Sequence, residues 1–198
     1  GSYYKIPTYT SLGFQDNTGS FVNRGMEYIQ SNHYVLGGQY IPNSGLRITV
    51  EGFYKQYNNY PVSIANGSSL ANQGTQFGSI GSEAVSSTGK GQTYGAELFI
   101  QQKLVKNLFY VVSYTYVRSL FSGLNGELVA SAWDNQHLVS GTLGYNFNKN
   151  WKVGAKYRFA GGVPYTPFDE AASRRNFPTL GQGSLDFNRL NEVRLDNF

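Results

Sequence analysis

The chain has 198 residues, a net charge of +4 and no cysteine, which excludes a disulfide framework and thiol chemistry. The basic residues are scattered rather than clustered, so the composition does not favour a nucleic-acid partner. Aromatic residues make up 16% of the chain and accompany 24 glycines, a composition typical of many strands joined by turns.

A two-residue alternation of apolar and polar side chains predicts six strands. They cover residues 33–41, 46–57, 93–103, 108–118, 136–147 and 151–161. Residues 1–2 are interpreted as a tag remnant and left out of this pattern. No stretch reaches the ~18 apolar residues of a transmembrane helix, but a membrane-spanning strand needs only ~9–11 alternating residues.

The predicted connections alternate strictly between short and long. Short turns lie at 42–45, 104–107 and 148–150, and long loops lie at 60–92, 119–135 and after 163. In an up-and-down meander, this order places every short turn at one end of the sheet and every long loop at the other. Outer-membrane barrels have this asymmetry, whereas Greek-key sandwiches have no reason to sort their loops in this way.

The two predicted faces differ in chemistry. The first is apolar, with aromatic residues near the strand ends: Tyr34, Tyr40, Tyr94, Tyr145, Phe147, Trp151 and Phe159. The second is polar: Arg47, Glu51, Lys55, Glu97, Gln101, Lys152, Lys156 and Arg158. The first face suits lipid or a sandwich core equally, and the second suits a wide, wet or plugged barrel. The sequence therefore predicts an all-β fold, an antiparallel up-and-down meander that is part of a transmembrane β-barrel.

Five stretches carry a resemblance to a known family. They are YYKIPTYTSLGF (3–14), SNHYVLGGQYIPNSGLRITVEGFYKQYNNYP (31–61), GKGQTYGAELFIQQK (89–103), SYTYVRS (113–119) and WDNQHLVSGTLGYNFNKNWKVGAKYRFAGGVPYTPFD (133–169). In this order and spacing they resemble the C-terminal barrel part of TonB-dependent outer-membrane receptors, especially the Bacteroidetes type. The resemblance covers nearly the whole chain.

The resemblance implies a roughly 22-stranded barrel with a plugged lumen. Residues 3–198 would be a C-terminal fragment of that barrel, without the plug, and the final VRLDNF reads as a truncated strand. The implied function is import of a scarce nutrient across the outer membrane of a Gram-negative bacterium. The implied partners are the TonB–ExbB–ExbD energy-coupling system, the plug domain, membrane lipid and a SusD-like surface lipoprotein.

Candidate site residues follow from the polar face and from one loop. Six of them face the expected lumen, where an anionic ligand, the plug or water would meet them: Arg47, Glu51, Lys55, Lys152, Lys156 and Arg158. Trp133 and Asp134 lie in a predicted loop that could touch the ligand. His33 and His137 stand apart without cysteines or paired carboxylates, so no metal, cofactor or catalytic site is predicted.

A second interpretation is a secreted or surface β-sandwich that binds or adheres to sugars through aromatic side chains. It predicts a second layer packed on the apolar face and tryptophan-rich loops, and only 2 tryptophans are present. The sequence does not choose among siderophore, vitamin, peptide and glycan as the ligand of the first interpretation.

Overall fold

The structure is a computed structural model that describes residues 1–73 and 80–194. Its main sheet contains eight strands: β1 (Ser2–Lys5), β2 (Ile29–Asn43), β3 (Leu46–Ser63), β4 (Val85–Val105), β5 (Leu108–Ser122), β6 (Leu128–Ala130), β7 (Gln136–Asn146) and β8 (Lys152–Ala160). Their order is β1-β2-β3-β4-β5-β7-β8, with β6 paired to β5 and all pairings antiparallel. The predicted meander is confirmed. It stays open in this chain, because β1 and β8 are its two edges.

Four strands, β2, β3, β4 and β5, continue past their predicted ends on the side of the long loops. β3 runs to Ser63, β4 begins at Val85, and these two residues face each other across the sheet. The prediction of one loop over 60–92 is therefore wrong at both ends. The added segment, rich in Ser, Gly and Thr, packs against the loops, which bury residues such as Val62, Ser63 and Val85. Its strands therefore carry no regular alternation of apolar and polar side chains. Residues 74–79 of that loop and residues 195–198 lie outside the described part of the chain.

The first strand was missed because it is short. β1 pairs with residues 29–32 of β2, with Ser2 opposite Asn32 and Lys5 opposite Ile29. It has four residues, SYYK, which are too few for a two-residue alternation to stand out. Ser2 thus forms part of a strand, and its interpretation as part of a tag remnant stays a prediction.

The strand register brings the predicted apolar residues onto one face. One row of directly opposed residues consists of Gly38, Val50, Leu98, Tyr114, Val139 and Phe159. Side chains of this face are open to the surroundings, as with Leu36 (84% exposed) and Tyr157 (63%). Within residues 1–73 and 80–194 the main sheet has no second layer packed on this face, which contradicts the β-sandwich interpretation. We call this face the outer face and the opposite one the inner face.

The long-loop end carries the remaining elements. They are α1 (Tyr9–Leu12), a 3₁₀ turn (Leu70–Asn72), β9 (Pro164–Tyr165), β10 (Phe168–Asp169), α2 (Glu170–Leu180), β11 (Ser184–Leu185), a second 3₁₀ turn (Phe187–Arg189) and β12 (Val193–Arg194). β9 pairs with β12 and β10 pairs with β11. Asp169 caps α2 by accepting from the Ala172 N–H, and Gly181 ends it in a left-handed conformation. Among the described residues, no helix is long and apolar enough to cross a membrane.

The buried apolar side chains gather at the same end. They are Val62, Leu70, Ala71, Val85, Phe121 and Ala132. The packed part of this chain is therefore the assembly of loops at one end, whereas the membrane-length part of the sheet exposes both of its faces. Loops held in this way form a fixed surface rather than a set of flexible tethers.

Candidate functional site

The inner face carries all six predicted lumen residues. Arg47, Glu51 and Lys55 alternate along β3, and Lys152, Lys156 and Arg158 alternate along β8. The register places β4, β5 and β7 between the two strands, so the six residues share a face without forming one cluster. The structure thus divides them into a group on β3 and a group on β8.

The group on β3 surrounds two facing carboxylates. Glu51 of β3 lies directly opposite Glu97 of β4, and a cavity of about 350 Å³ over them is also lined by Arg47 and Phe99. The Arg47 guanidinium carbon lies 5.1 Å from the centre of the Phe99 ring. Like charges directly opposite each other on a sheet are destabilising unless another group balances them. This pair is therefore stabilised by a nearby positive charge.

Two inner-face phenylalanines lie directly opposite glycines of the neighbouring strand, Phe53 opposite Gly95 and Phe109 opposite Gly144. A side chain at Gly95 would meet the Phe53 ring, and one at Gly144 would meet the Phe109 ring. Glycine leaves room for each ring to cover the exposed backbone, an arrangement known to stabilise sheets. Each ring thus occupies the space that a side chain at the glycine would take.

Asp134, one of the two loop candidates, is completely buried. Its carboxylate accepts hydrogen bonds from Arg118 Nε at 3.2 Å, from the Ser119 N–H at 2.8 Å, and from Arg194 Nη2. Trp133, beside it, is 55% exposed. The structure therefore gives the Asp134 carboxylate protein partners, while Trp133 keeps an accessible ring at the loop end.

A buried asparagine pair at the loop end was missed by the sequence analysis. Asn191 donates from Nδ2 to the carbonyl oxygens of Asn72 (2.9 Å) and Ala130 (2.8 Å), and its Oδ1 accepts from Thr166 Oγ1 (3.2 Å). Asn72 in turn donates to the carbonyls of Val129 (3.2 Å) and Ala130 (3.1 Å). These contacts join three long connections, and no local motif signals them because the partners are up to 119 residues apart.

A third buried amide fixes the segment between α1 and β2. Asn23 donates to the carbonyl oxygens of Ser11 (2.8 Å) and Glu83 (2.7 Å), and its Oδ1 accepts from the Val85 N–H (3.0 Å). Together with Asp134 and the asparagine pair, it holds the loop end in a single arrangement. Polar rather than apolar side chains do this because a loop assembly must satisfy many backbone groups.

A single-layer meander with an apolar outer face, a polar inner face and all long loops at one end defines the class: a segment of an outer-membrane β-barrel. The chain belongs to the TonB dependent receptor-like, beta-barrel family, whose model matches residues 1–192. The proteins of this family are receptors and transporters rather than enzymes, and they lie in the outer membrane of Gram-negative bacteria.

Solved structures share this fold. The ferripyoverdine receptor of the Pseudomonas aeruginosa outer membrane matches with a TM-score of 0.55 and 19% identity, over 85% of this chain and 21% of that chain. The ferric-catecholate import receptor Fiu of E. coli K12 matches with a TM-score of 0.60 and 15% identity, over 83% and 22%. The alcaligin outer-membrane receptor FauA of Bordetella pertussis matches with a TM-score of 0.51 and 14% identity, over 81% and 25%.

The chain thus spans a quarter or less of the length of these three receptors. At such identities the likeness shows a common fold. No curated protein sequence matches the chain.

Proposed function

We propose that this chain forms part of the barrel wall of an outer-membrane transporter that imports a scarce nutrient. The observation that carries the proposal is the division of one sheet layer into an apolar outer face and a charged inner face, in a chain of the TonB-dependent receptor family. The outer face contacts hydrocarbon and the inner face encloses water and a polypeptide plug. No bond is made or broken, and energy comes through the TonB–ExbB–ExbD system.

The inner face supplies the contacts with the plug in this proposal. The opposed Glu51 and Glu97 face a cation of the plug, because within residues 1–73 and 80–194 neither of them joins an ion pair. Arg47 and Lys55 lie on the same strand and keep that wall close to neutral. Trp133 belongs to the rim of the ligand entrance, and Asp134 holds that rim in place.

We further propose that the receptor is of the Bacteroidetes type and that this chain lies in the C-terminal part of its barrel. The order of the five resembling stretches supports both points. A SusD-like lipoprotein encoded beside the receptor would favour a glycan as the nutrient. Its absence from the gene neighbourhood would remove that partner and leave the barrel assignment standing.

Fractionation and electrophoresis of the full-length protein test the proposal. The protein should sediment with the outer membrane, require detergent, and migrate faster unheated than boiled, because a closed barrel resists the detergent until it is heated. Loss of TonB should abolish accumulation of the nutrient in cells that depend on this receptor. A freely soluble full-length protein with the same mobility before and after heating would refute the proposal.

A further inference from the structure

Within residues 1–73 and 80–194, the cations of β8 have no acidic residue on their own strand or opposite them on β7, whereas Arg47 and Lys55 share β3 with Glu51. The ion pairs among the described residues are Arg118–Asp134, Arg194–Asp134, Arg174–Glu170 and Arg189–Glu192. Lys152, Lys156 and Arg158 therefore take part in no ion pair within residues 1–73 and 80–194. All three point to the inner face, since they alternate with outer-face residues such as Tyr157.

Hydroxyl groups stand beside these cations. Ser140 of β7 lies directly opposite Arg158, Thr142 lies opposite Lys156, and Ser113 of β5 lies on the other side of Ser140. A cavity of about 290 Å³ lies over this part of the wall and is lined by Ser113, Ser140 and Arg158. Each hydroxyl can donate one hydrogen bond, and a guanidinium can donate two parallel bonds to an oxyanion.

The carboxylates of the β3 group are too far away to neutralise these cations. Glu97 lies on β4, and three strand spacings separate β4 from β8, which amounts to about 14 Å. That distance exceeds the screening length of about 8 Å at physiological salt. β5 and β7, which lie between β4 and β8, carry no acidic residue on their inner faces. The inner wall is therefore near neutral along β3 and β4 and positive along β8.

We propose that Lys156 and Arg158, with the hydroxyls of Ser113, Ser140 and Thr142, form an anion-binding strip on the lumen wall. The strip takes oxyanionic groups, such as carboxylate or phosphate oxygens. The inference rests on the proposed barrel, because only a barrel turns this face toward a lumen. The oxyanion comes either from an anionic solute in the lumen or from a carboxylate of the enclosed plug.

The experiment compares two variants of the full-length receptor in detergent. The test variant is Lys156→Gln/Arg158→Gln, which removes both charges and keeps polar side chains. The control variant is Lys106→Asn/Lys149→Gln, which removes two positive charges from the short turns at the far end of the sheet. Both variants should keep the heat-dependent mobility of the wild type, which reports the barrel independently of the strip. Citrate is the probe, and calorimetric titration at low and high salt measures its affinity.

If the lumen is accessible to solute, citrate binds the wild type, binding weakens with salt, and the test variant loses about tenfold in affinity while the control does not. If the plug supplies the anion, citrate does not bind the wild type, and the test variant melts at a lower temperature than the control. Either result supports the strip and identifies its source. Test and control variants that behave alike in both measurements would overturn it, whereas the barrel assignment would stand as long as the mobility shift is retained.

Discussion

Arg194 and Asp134, 60 residues apart in the sequence, form a buried ion pair at the loop end of the sheet. Arg194 also donates to the carbonyl oxygen of Asp134 and, at 3.2 Å, to that of Gly162. Arg118 approaches the same carboxylate from β5. One carboxylate therefore ties the last described segment of the chain to the sheet.

The position of Asp134 explains why a carboxylate is used. β7 pairs with β5 as far as Val117, and β6 takes over at Leu120, which leaves a gap along β5. Asp134 fills this gap and accepts from the Ser119 N–H, a backbone donor that neither neighbouring strand reaches. Its charge is balanced by the two arginines, so the gap closes without an unpaired buried group.

Replacing Asp134 with alanine should release residues 164–194 from the sheet. The change leaves Arg118 and Arg194 without their partner, and breaking a buried pair in this way costs about 3–5 kcal/mol. Arg189 lies in the segment that would be released. Trypsin should therefore cleave the full-length protein after Arg189 at least tenfold faster than in the wild type.

The exposed pair between Arg174 and Glu170 in α2 provides the control. Both side chains are 79% exposed, and a pair of this kind contributes about 0.3–0.5 kcal/mol. Glu170→Gln should leave cleavage after Arg189 unchanged. Equal cleavage rates in Asp134→Ala and Glu170→Gln would show that Asp134 does not anchor the segment.

Replacing Asn191 should destabilise the loop assembly, because its amide bonds to three separate segments. Asn191→Ala removes the side-chain donor of the Asn72 carbonyl oxygen and one of the two donors of the Ala130 carbonyl oxygen, which keeps its bond from Asn72. An unsatisfied buried group costs about 1–3 kcal/mol. Asn191 also has φ of 50°, a left-handed conformation that asparagine tolerates better than alanine does. Hydrogen exchange should accelerate in residues 70–73 and 128–130 of the variant.

Two substitutions separate the parts of this effect. Asn191→Gly removes the hydrogen bonds but adopts the left-handed conformation without strain. Its hydrogen-exchange rates should therefore lie between those of the wild type and of Asn191→Ala. Asn125→Ala removes an exposed turn contact with the Glu127 N–H and should change only its own loop. Unaltered exchange in 70–73 for every variant would mean that the asparagine pair does not join the loops.

The glycines of β7 offer a matched test of the inner face. A side chain at Gly144 would overlap the Phe109 ring, whereas one at Gly141, on the outer face of the same strand, would meet no atom within 4 Å. Gly144→Ala should therefore destabilise the barrel by about 1–3 kcal/mol, as overpacking does, and Gly141→Ala should not. The urea midpoint for unfolding of the full-length protein in micelles measures both.

Removal of the ring should reverse the effect. In the background Phe109→Ala, the added methyl group at Gly144 has space, so the second substitution should be close to neutral. A double-mutant cycle with no coupling between the two positions would contradict the stacking of Phe109 on Gly144.

Neighbouring residues of β3 test which face meets lipid. Val50 points to the outer face and Thr49 to the inner face. An arginine on the lipid side of a barrel strand costs about 2–4 kcal/mol near the bilayer midplane, and one facing the lumen does not. Val50→Arg should therefore lower the yield of the heat-modifiable form in the outer membrane, and Thr49→Arg should leave it near wild type. Equal yields of the two variants would contradict the assignment of the outer face to lipid and of the inner face to the lumen.

The strands that could be predicted from the sequence are those with lipid on one face and water on the other. This contrast produces an alternation of apolar and polar residues in strands such as β8. Lys156 and Arg158 are two residues apart, so they lie on the same face of the sheet. Nearer the loops the strands pack against other segments, which bury Ser63 and Val85 alike, so the alternation fades although these two residues still pair.

The loop assembly could not be predicted because its contacts join distant segments. Asp134 was predicted as a loop residue near the ligand, and its two arginine partners depend on how three segments meet. Asn191 has the same character, since its partners lie 25, 61 and 119 residues away. Contacts between distant segments leave no pattern in composition or spacing, whereas the alternation of apolar and polar residues recurs in every membrane-length strand.

The turn at Asp16 should open only in acid. Its Oδ1 accepts from the Thr18 hydroxyl (2.6 Å), the Ser20 N–H (3.0 Å) and the Thr18 N–H (2.9 Å), and these hydrogen bonds hold the pKa of Asp16 below its ordinary value. Because the folded pKa is the lower one, this stabilisation is complete above the unfolded pKa and is lost as the pH falls through the folded pKa. Pepsin should therefore cut residues 14–21 of the full-length protein slowly at about pH 4 and faster at about pH 2. Asp16→Asn has no carboxylate to protonate and should lack this change, so the same pH profile in both proteins would refute the role of the charge.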